Sequence, residues 1–217
     1  MEDARDRLLA RRDVGQLVHL VMYRLKQTVA AFALLAGLCS PALAGLAEDA
    51  ASAYGRGDYA TAATLWRQLA DQGDATAEYR IGIMYNNGEG VPQSYTEAAR
   101  WFRLAAEQGD SKAQFLLGFL YAAGNGVALN DTEAARWFRR AADQGEARAQ
   151  FLLGSAYAEG AGVPQDYVSA RVWFELASAQ GEPNAQKALA WSAQHMTPAQ
   201  IAEAQKRART WKPTSHQ

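Results

Sequence analysis

Residues 75–110, ATAEYRIGIMYNNGEGVPQSYTEAARWFRLAAEQGD, decide the fold. The same pattern returns at 111–146 as SKAQFLLGFLYAAGNGVALNDTEAARWFRRAADQGE, and at 147–182 as ARAQFLLGSAYAEGAGVPQDYVSARVWFELASAQGE. A shorter, diverged unit at about 46–74 precedes them and ends in LWRQLADQGD. A fixed period of this size marks a solenoid, in which each unit buries its apolar face only against its neighbours.

Each recurring position has a physical reading. Ala77, Ala113 and Ala149 open the first helix of a unit, and Tyr85, Tyr121 and Tyr157 close it. Gly82, Gly118 and Gly154 fall in mid-helix, where glycine costs about 1 kcal/mol relative to alanine. Their recurrence predicts a helix crossing too close for a Cβ. Gly88, Gly124 and Gly160 then end the helix as left-handed caps. A second glycine (Gly90, Gly126, Gly162) and a valine (Val91, Val127, Val163) complete the loop, the valine anchoring it in the core. Asp58, Ser94, Asn130 and Asp166 are placed to cap the second helix. Glu97 and Glu133 lie at capping-box spacing from Ser94 and Asn130, which explains their recurrence by capping instead of catalysis. Trp101, Trp137 and Trp173, each followed by phenylalanine, supply the largest apolar side chains of that helix and read as core. Ala98, Ala134 and Ala170 keep the paired helices close. Gly73, Gly109, Gly145 and Gly181 end the second helices, each followed by an acidic residue.

After residue 182 the repeat lapses. Pro183 suits the first turn of a helix running to about His195. Thr197-Pro198-Ala199-Gln200 then reads as a cap, a first-turn proline and a capping-box glutamine ahead of a last helix, IAEAQKRART. These two helices are expected to form the polar-faced cap that a solenoid needs at its end.

At the other end, residues 23–26 (YRLK) are basic, residues 29–38 (VAAFALLAGL) form an apolar run, and CSPALA follows. That succession describes a secretory signal peptide cleaved after Ala44. The run is too short to span a bilayer. Cleavage removes Cys39, the single cysteine, and leaves a mature form without a membrane span. Ala36 and Leu38 do not fit a lipoprotein signal around Cys39. Met22 is a natural start for a signal of ordinary length, which sets it against Met1 as the true start.

Composition narrows the chemistry. The chain has 217 residues, 49% apolar and 21% charged, with a formal net charge of −1. Residues 45–217 carry 16 basic and 19 acidic residues, a formal charge of −3, without the concentrated basic face that nucleic acid requires. His195 and His216, the two histidines that survive processing, have no cysteine or histidine at ligand spacing, so no metal is expected. No Ser-x-x-Lys occurs, and the usual nucleophile–base pairs cannot be assembled. The Gly-x-Gly loops follow helices, not strands, and lack a Gly-Lys-Ser/Thr element, so they are structural loops and not phosphate cradles. No cofactor is implied.

Alanine, aliphatic-Gly, Tyr, Gly-x-Gly-Val, Ala, Trp-Phe, Ala-Ala and Gly-Asp at this spacing resemble the Sel-like repeat family, relatives of the tetratricopeptide repeats. The match covers 75–182 well and 46–74 in part. The closing MTPAQIAEAQKRARTW is similar to the C-terminal end of exported bacterial members. The resemblance implies an α/α superhelix with adaptor or regulatory roles in secretion, envelope signalling and host contact. One cysteine-rich branch of the family is associated with β-lactam binding; the cysteine-free mature form departs from it.

Function is expected on the surface that varies between units. On the first helix, positions 77, 81, 82 and 85 are nearly constant and share one side at 100° per residue, while 80, 83, 84 and 87 share the other. The variable columns hold Arg80, Ile83, Met84 and Asn87, then Leu116, Phe119, Leu120 and Ala123, then Leu152, Ser155, Ala156 and Glu159. First helices of such solenoids line the concave, binding face. Arg80, Ile83, Asn87, Leu116, Phe119, Leu152 and Glu159 are therefore the expected partner-binding residues, for an amphipathic helix or an extended peptide. Met84 and Leu120 are divided between that role and packing on the next unit.

The sequence thus reads as an all-α, right-handed α/α superhelical solenoid. A leader occupies 1–44, helix-pair units of about 46–74, 75–110, 111–146 and 147–182 follow, and 183–217 forms a helical cap and tail. It is expected to be a periplasmic or secreted scaffold that binds a protein or peptide, not an enzyme. The rivals are a hydrolase acting on cell-wall or β-lactam substrates and a cytosolic adaptor that keeps residues 1–44.

Overall fold

A computed structural model describes residues 44–214. The leader expected at 1–44 lies, apart from Ala44, outside the described residues. Ten helices follow one another, with no strand among the described residues: α1 (44–55), α2 (Tyr59–Ala70), α3 (Ala75–Asn87), α4 (Tyr95–Glu107), α5 (Ser111–Ala123), α6 (Asp131–Asp143), α7 (Ala147–Glu159), α8 (Tyr167–Ala179), α9 (Ala185–Ala193) and α10 (Pro198–Thr210). Helices α3 and α4, α5 and α6, and α7 and α8 pack as pairs, and each pair stacks on the next. The chain is an α-solenoid.

Local chemistry sets the helix boundaries. Asp58, Ser94, Asn130 and Asp166 all cap second helices, their side chains accepting first-turn amides such as Glu97 N at 3.3 Å and Glu133 N at 3.1 Å. The reciprocal half of the box is absent at Ser94 and Asn130. Their own amides already donate to the carbonyls of Tyr85 and Tyr121, at 2.9 and 3.0 Å. Glu97 and Glu133 are thereby released to pair with Arg100 and Arg136 one turn on, at 3.1 and 2.7 Å. Among the described residues both halves of the box form only at Thr197–Gln200. Pro183 stands ahead of α9 in a turn, with Asn184 as the cap residue.

Two glycine columns are fixed by contact. A Cβ on Gly82, Gly118 or Gly154 would lie 2.6–2.8 Å from the ring of Phe102, Phe138 or Phe174, the phenylalanine that follows each core tryptophan. A Cβ on Gly126 would sit 2.2 Å from the Tyr95 carbonyl carbon at the start of the previous unit's second helix. Gly126 also has φ +69°, so space and backbone both select glycine. Trp101, Trp137 and Trp173 are buried, as their periodicity predicts. The loop valines are half-buried, and Val127 packs on the core.

One further ladder joins successive units, and a second ties the two helices of each unit together. Arg67, Arg103 and Arg139 on the second helices donate to the hydroxyls of Tyr85, Tyr121 and Tyr157 on the next first helices. Gln108, Gln144 and Gln180 donate to buried Glu78, Gln114 and Gln150 at 2.7, 2.8 and 2.8 Å.

The last full unit ends at residue 182, and helix α9 keeps two of its columns: Ala185 occupies the column of Ala77, Ala113 and Ala149 and is equally buried, and Leu189 follows Leu153 at the same 36-residue interval. Helix α10 departs from the pattern altogether and packs on α8 instead of pairing with α9. The seat is written in α8, where Val172 and Leu176 replace the charged pair Arg136 and Arg140 of the preceding unit. The chain after α10 turns back to the end of α6. There the Thr214 amide donates to the Asp143 carbonyl at 2.7 Å, and Trp211 meets Trp173 edge-on at 6.2 Å.

Candidate functional site

The first helices α1, α3, α5, α7 and α9 form one face, and grooves open between neighbours on it. The first groove, about 220 Å³, runs between α1 and α3 and is lined by Tyr54, Arg80 and Ile83, with Trp66 of α2 and buried Met84 beneath. Tyr54 is held by a hydrogen bond from its hydroxyl to Glu89 at 2.8 Å, which pushes its ionisation above the ordinary tyrosine value. A second groove, about 370 Å³, lies between α5 and α7 under Phe119, Leu152, Ala156 and Glu159, floored by Ala134 and Phe138 of α6. The third, about 420 Å³, lies between α7 and α9 and is walled by Phe151, Glu159, Lys187 and Trp191 over Phe174.

The structure places five of the seven expected residues on these grooves: Arg80 and Ile83 on the first, Phe119 and Leu152 on the second, and Glu159 on both the second and the third. Phe119 is 49% exposed, a large ring standing half in water. Leu116 is half-buried and packs on the cores of the units on both sides of it. Asn87 lies outside the grooves, its amide turned to Glu89 at 3.2 Å. Met84 and Leu120 resolve to packing, at 1% and 2% exposure.

Trp191, 40% exposed, is a groove residue that the sequence reading left outside. It stands in the variable column of Ile83, Phe119 and Ser155, one more 36-residue step along the chain. Counting the period through Pro183 instead of stopping there finds it.

The grooves offer apolar rings and aliphatic side chains with charges at their rims: Arg80 on the first, Asp131 and Glu159 on the second, Glu159 and Lys187 on the third. Among the described residues no three His, Cys, Asp or Glu side chains cluster as metal ligands, and no helix is long and apolar enough to cross a membrane. An arrangement of this kind can offer a partner burial and shape, and no catalytic chemistry is built into it.

The pattern of the Sel1 repeat matches residues 40–74, 75–110, 111–146 and 147–182. Among solved structures, the chain is similar to c5321, a protective antigen present in uropathogenic Escherichia coli strains that displays an SLR fold. The identity is 35%, the TM-score is 0.65, and the match covers 70% of this chain and 32% of that one. It is also similar to a Sel1 repeat protein from Oxalobacter formigenes, at 44% identity and TM-score 0.54, over 57% of this chain and 93% of that one. The chain therefore spans about a third of the length of the E. coli antigen. Among curated proteins none matches significantly. Sel1 repeat proteins generally mediate protein–protein interactions, and the scaffold is typically non-catalytic. By the extent of the repeat match and by its fold, this chain belongs to the Sel1 repeat family.

Proposed function

We propose that the chain is an exported scaffold that holds a protein or peptide partner along the row of grooves between its first helices. The observation that carries this reading is the coincidence of variation with exposure. Positions fixed by stacking recur in every unit, while the columns of Ile83, Phe119 and Trp191 and of Arg80, Leu116 and Leu152 change and include the ring that stands freest in water. An apolar anchor from the partner fits beside Phe119 and Leu152, with basic residues of the partner meeting Asp131 and Glu159. Export, to the periplasm or beyond, rests on the basic, apolar and small-residue succession that ends at Ala44.

Phe119→Ser tests the groove. Leu116 also serves packing, so substituting it would mix stability with binding; Phe119 alone is the clean probe. Its loss is expected to weaken capture of the partner, crosslinked in native envelopes and identified by mass, by at least about 2 kcal/mol, as for a central anchor. Thermal stability should move within about 0.5 kcal/mol, because an exposed ring loses little packing. Undiminished capture by a folded Phe119→Ser variant refutes the groove. N-terminal sequencing of the native protein tests export, with Gly45 expected as the first residue and an intact Met1 or Met22 start refuting it.

A further inference from the structure

The departure of α10 from the repeat opens a chamber on the opposite, second-helix side of the molecule. In the second and third units the core tryptophan is roofed by its own arginines: Arg100 lies 3.9 Å above the Trp101 ring, and Arg136 and Arg140 lie 4.3 and 4.8 Å above Trp137. In the fourth unit Val172 and Leu176 replace them, and α10 with Trp211 forms a more distant roof. The space left beneath holds about 530 Å³, enough for a small molecule.

The chamber contains charges of both signs that do not satisfy one another. Arg139 is fixed in place, its guanidinium donating to the Tyr157 hydroxyl and lying 5.2 Å from the Trp173 ring, yet that bond uses only part of its donor set. Arg207 of α10 stands exposed at the chamber's rim. Among the described residues no carboxylate lies within 4.0 Å of either arginine. Asp166 feels Arg207 only through its field, and its carboxylate is occupied by Ser169 and by the Val168 amide. Asp143 sits across the same space. Burial holds its carboxyl above the ordinary aspartate range, the nearby charge of Arg139 only partly offsets this, and no described group donates a hydrogen bond to it. Its backbone carbonyl is the point to which Thr214 ties the tail. Trp173 and Trp211 supply an apolar wall.

Two arginines without a carboxylate and a half-buried carboxylate without a donor, beside indole rings, are the complement of a molecule that carries both charges on an apolar body. We propose that this chamber binds a free aromatic α-amino acid, its carboxylate on Arg139 and Arg207, its ammonium on Asp143 and its ring against Trp173 and Trp211. The site is separate from the first-helix grooves and does not depend on their role.

Titration calorimetry of the purified full chain tests this with three probes: L-phenylalanine, 3-phenylpropionate, which lacks the ammonium, and 2-phenylethylamine, which lacks the carboxylate. L-phenylalanine is expected to bind, and each analogue to bind at least about tenfold more weakly, the scale of one lost charge-assisted hydrogen bond. Arg207→Gln should weaken L-phenylalanine about tenfold or more while leaving 2-phenylethylamine unchanged. Asp143→Asn should bring L-phenylalanine down to the level of 3-phenylpropionate. Phe119→Ser should leave all three titrations as they are, which separates this site from the grooves. Absence of heat with L-phenylalanine up to about 10 mM, a concentration matching the weak end of small-ligand affinity, overturns the proposal, as does equal binding of all three probes or an unaffected Arg207→Gln variant.

Discussion

Glu78 is the one member of the buried glutamine ladder that carries a charge, and replacing it by glutamine should stabilise the protein. In the third and fourth units the equivalent residue is glutamine. Gln114 accepts from Gln144 at 2.8 Å and donates to the Ala106 carbonyl at 3.0 Å, while Gln150 accepts from Gln180 at 2.8 Å and donates to the Ala142 carbonyl at 3.2 Å. Glu78, only 3% exposed, accepts from Gln108 at 2.7 Å. As a carboxylate it has no hydrogen for the Ala70 carbonyl, which stands where Ala106 and Ala142 stand in the later units. Burial raises its pKa, the Gln108 bond lowers it in part, and Asp74 adds repulsion that raises it.

The magnitude follows. Glu78→Gln keeps the bond from Gln108, gains a donor toward Ala70 worth about 1 kcal/mol, and removes the desolvation of a charge. A gain of about 1–2 kcal/mol at neutral pH corresponds to roughly 2–8 °C in Tm for a body of this size. The sign of the pH dependence is fixed by linkage. A carboxyl whose folded pKa is raised holds its proton more tightly in the folded state, so it costs nothing below the unfolded value of about 4.3 and destabilises progressively as pH climbs through the folded value. Thermal unfolding at pH 4 and pH 7.5 should therefore show the variant's advantage growing with pH, because protonated Glu78 can itself donate to Ala70 at the acid end. The reverse change, Gln114→Glu, should lose stability with the same profile. An advantage that is equal at both pH values, or a loss at pH 7.5, refutes the reasoning.

Trp137→Ala should cost about 3–5 kcal/mol in urea unfolding, whereas Trp137→Phe should cost much less. The reason is that the ring carries most of the contribution: the buried Trp137 indole N–H makes no hydrogen bond of good geometry, its nearest acceptor being the Glu133 carboxylate. Gly126→Ala should cost about 3 kcal/mol or more, since its Cβ meets backbone 2.2 Å away at φ +69°; wild-type stability in that variant would exclude the close approach. Deleting 111–146 should leave a shorter helical protein by circular dichroism, because each unit contacts only its neighbours. Asp110 then caps α7 as it caps α5, with its side chain on a first-turn amide, a bond that Glu146 does not make. Collapse to a disordered chain would contradict the solenoid.

The sequence was most legible where one residue answers to one local constraint. A left-handed cap, a helix N-cap, a glycine against a phenylalanine ring and a buried tryptophan each recur because nothing else meets the constraint, and the period alone finds them. Constraints shared between helices were harder to see. The Gln of each terminal Gln-Gly-Asp/Glu recurs as strictly as the tryptophans, and its partner column holds Glu78, Gln114 and Gln150, but a polar residue in a periodic column does not declare whether it faces water or bridges two buried helices. Glu97 and Glu133 mislead for a related reason. Their capping-box spacing is genuine, but the amide they would have reached is already taken by a tyrosine carbonyl from the first helix, a partner set by tertiary packing. Pro183 follows the last full unit, and it hides the fact that α9 keeps the columns of Ala149 and Leu153 and brings Trp191 into the groove. What α10 does was nonetheless written in the sequence, two substitutions upstream. Leu104 stands uncovered in the Arg140 column, but beside Arg100; where both positions turn apolar, at Val172 and Leu176, the outward face becomes a seat, and the next amphipathic segment in the chain is the one that takes it.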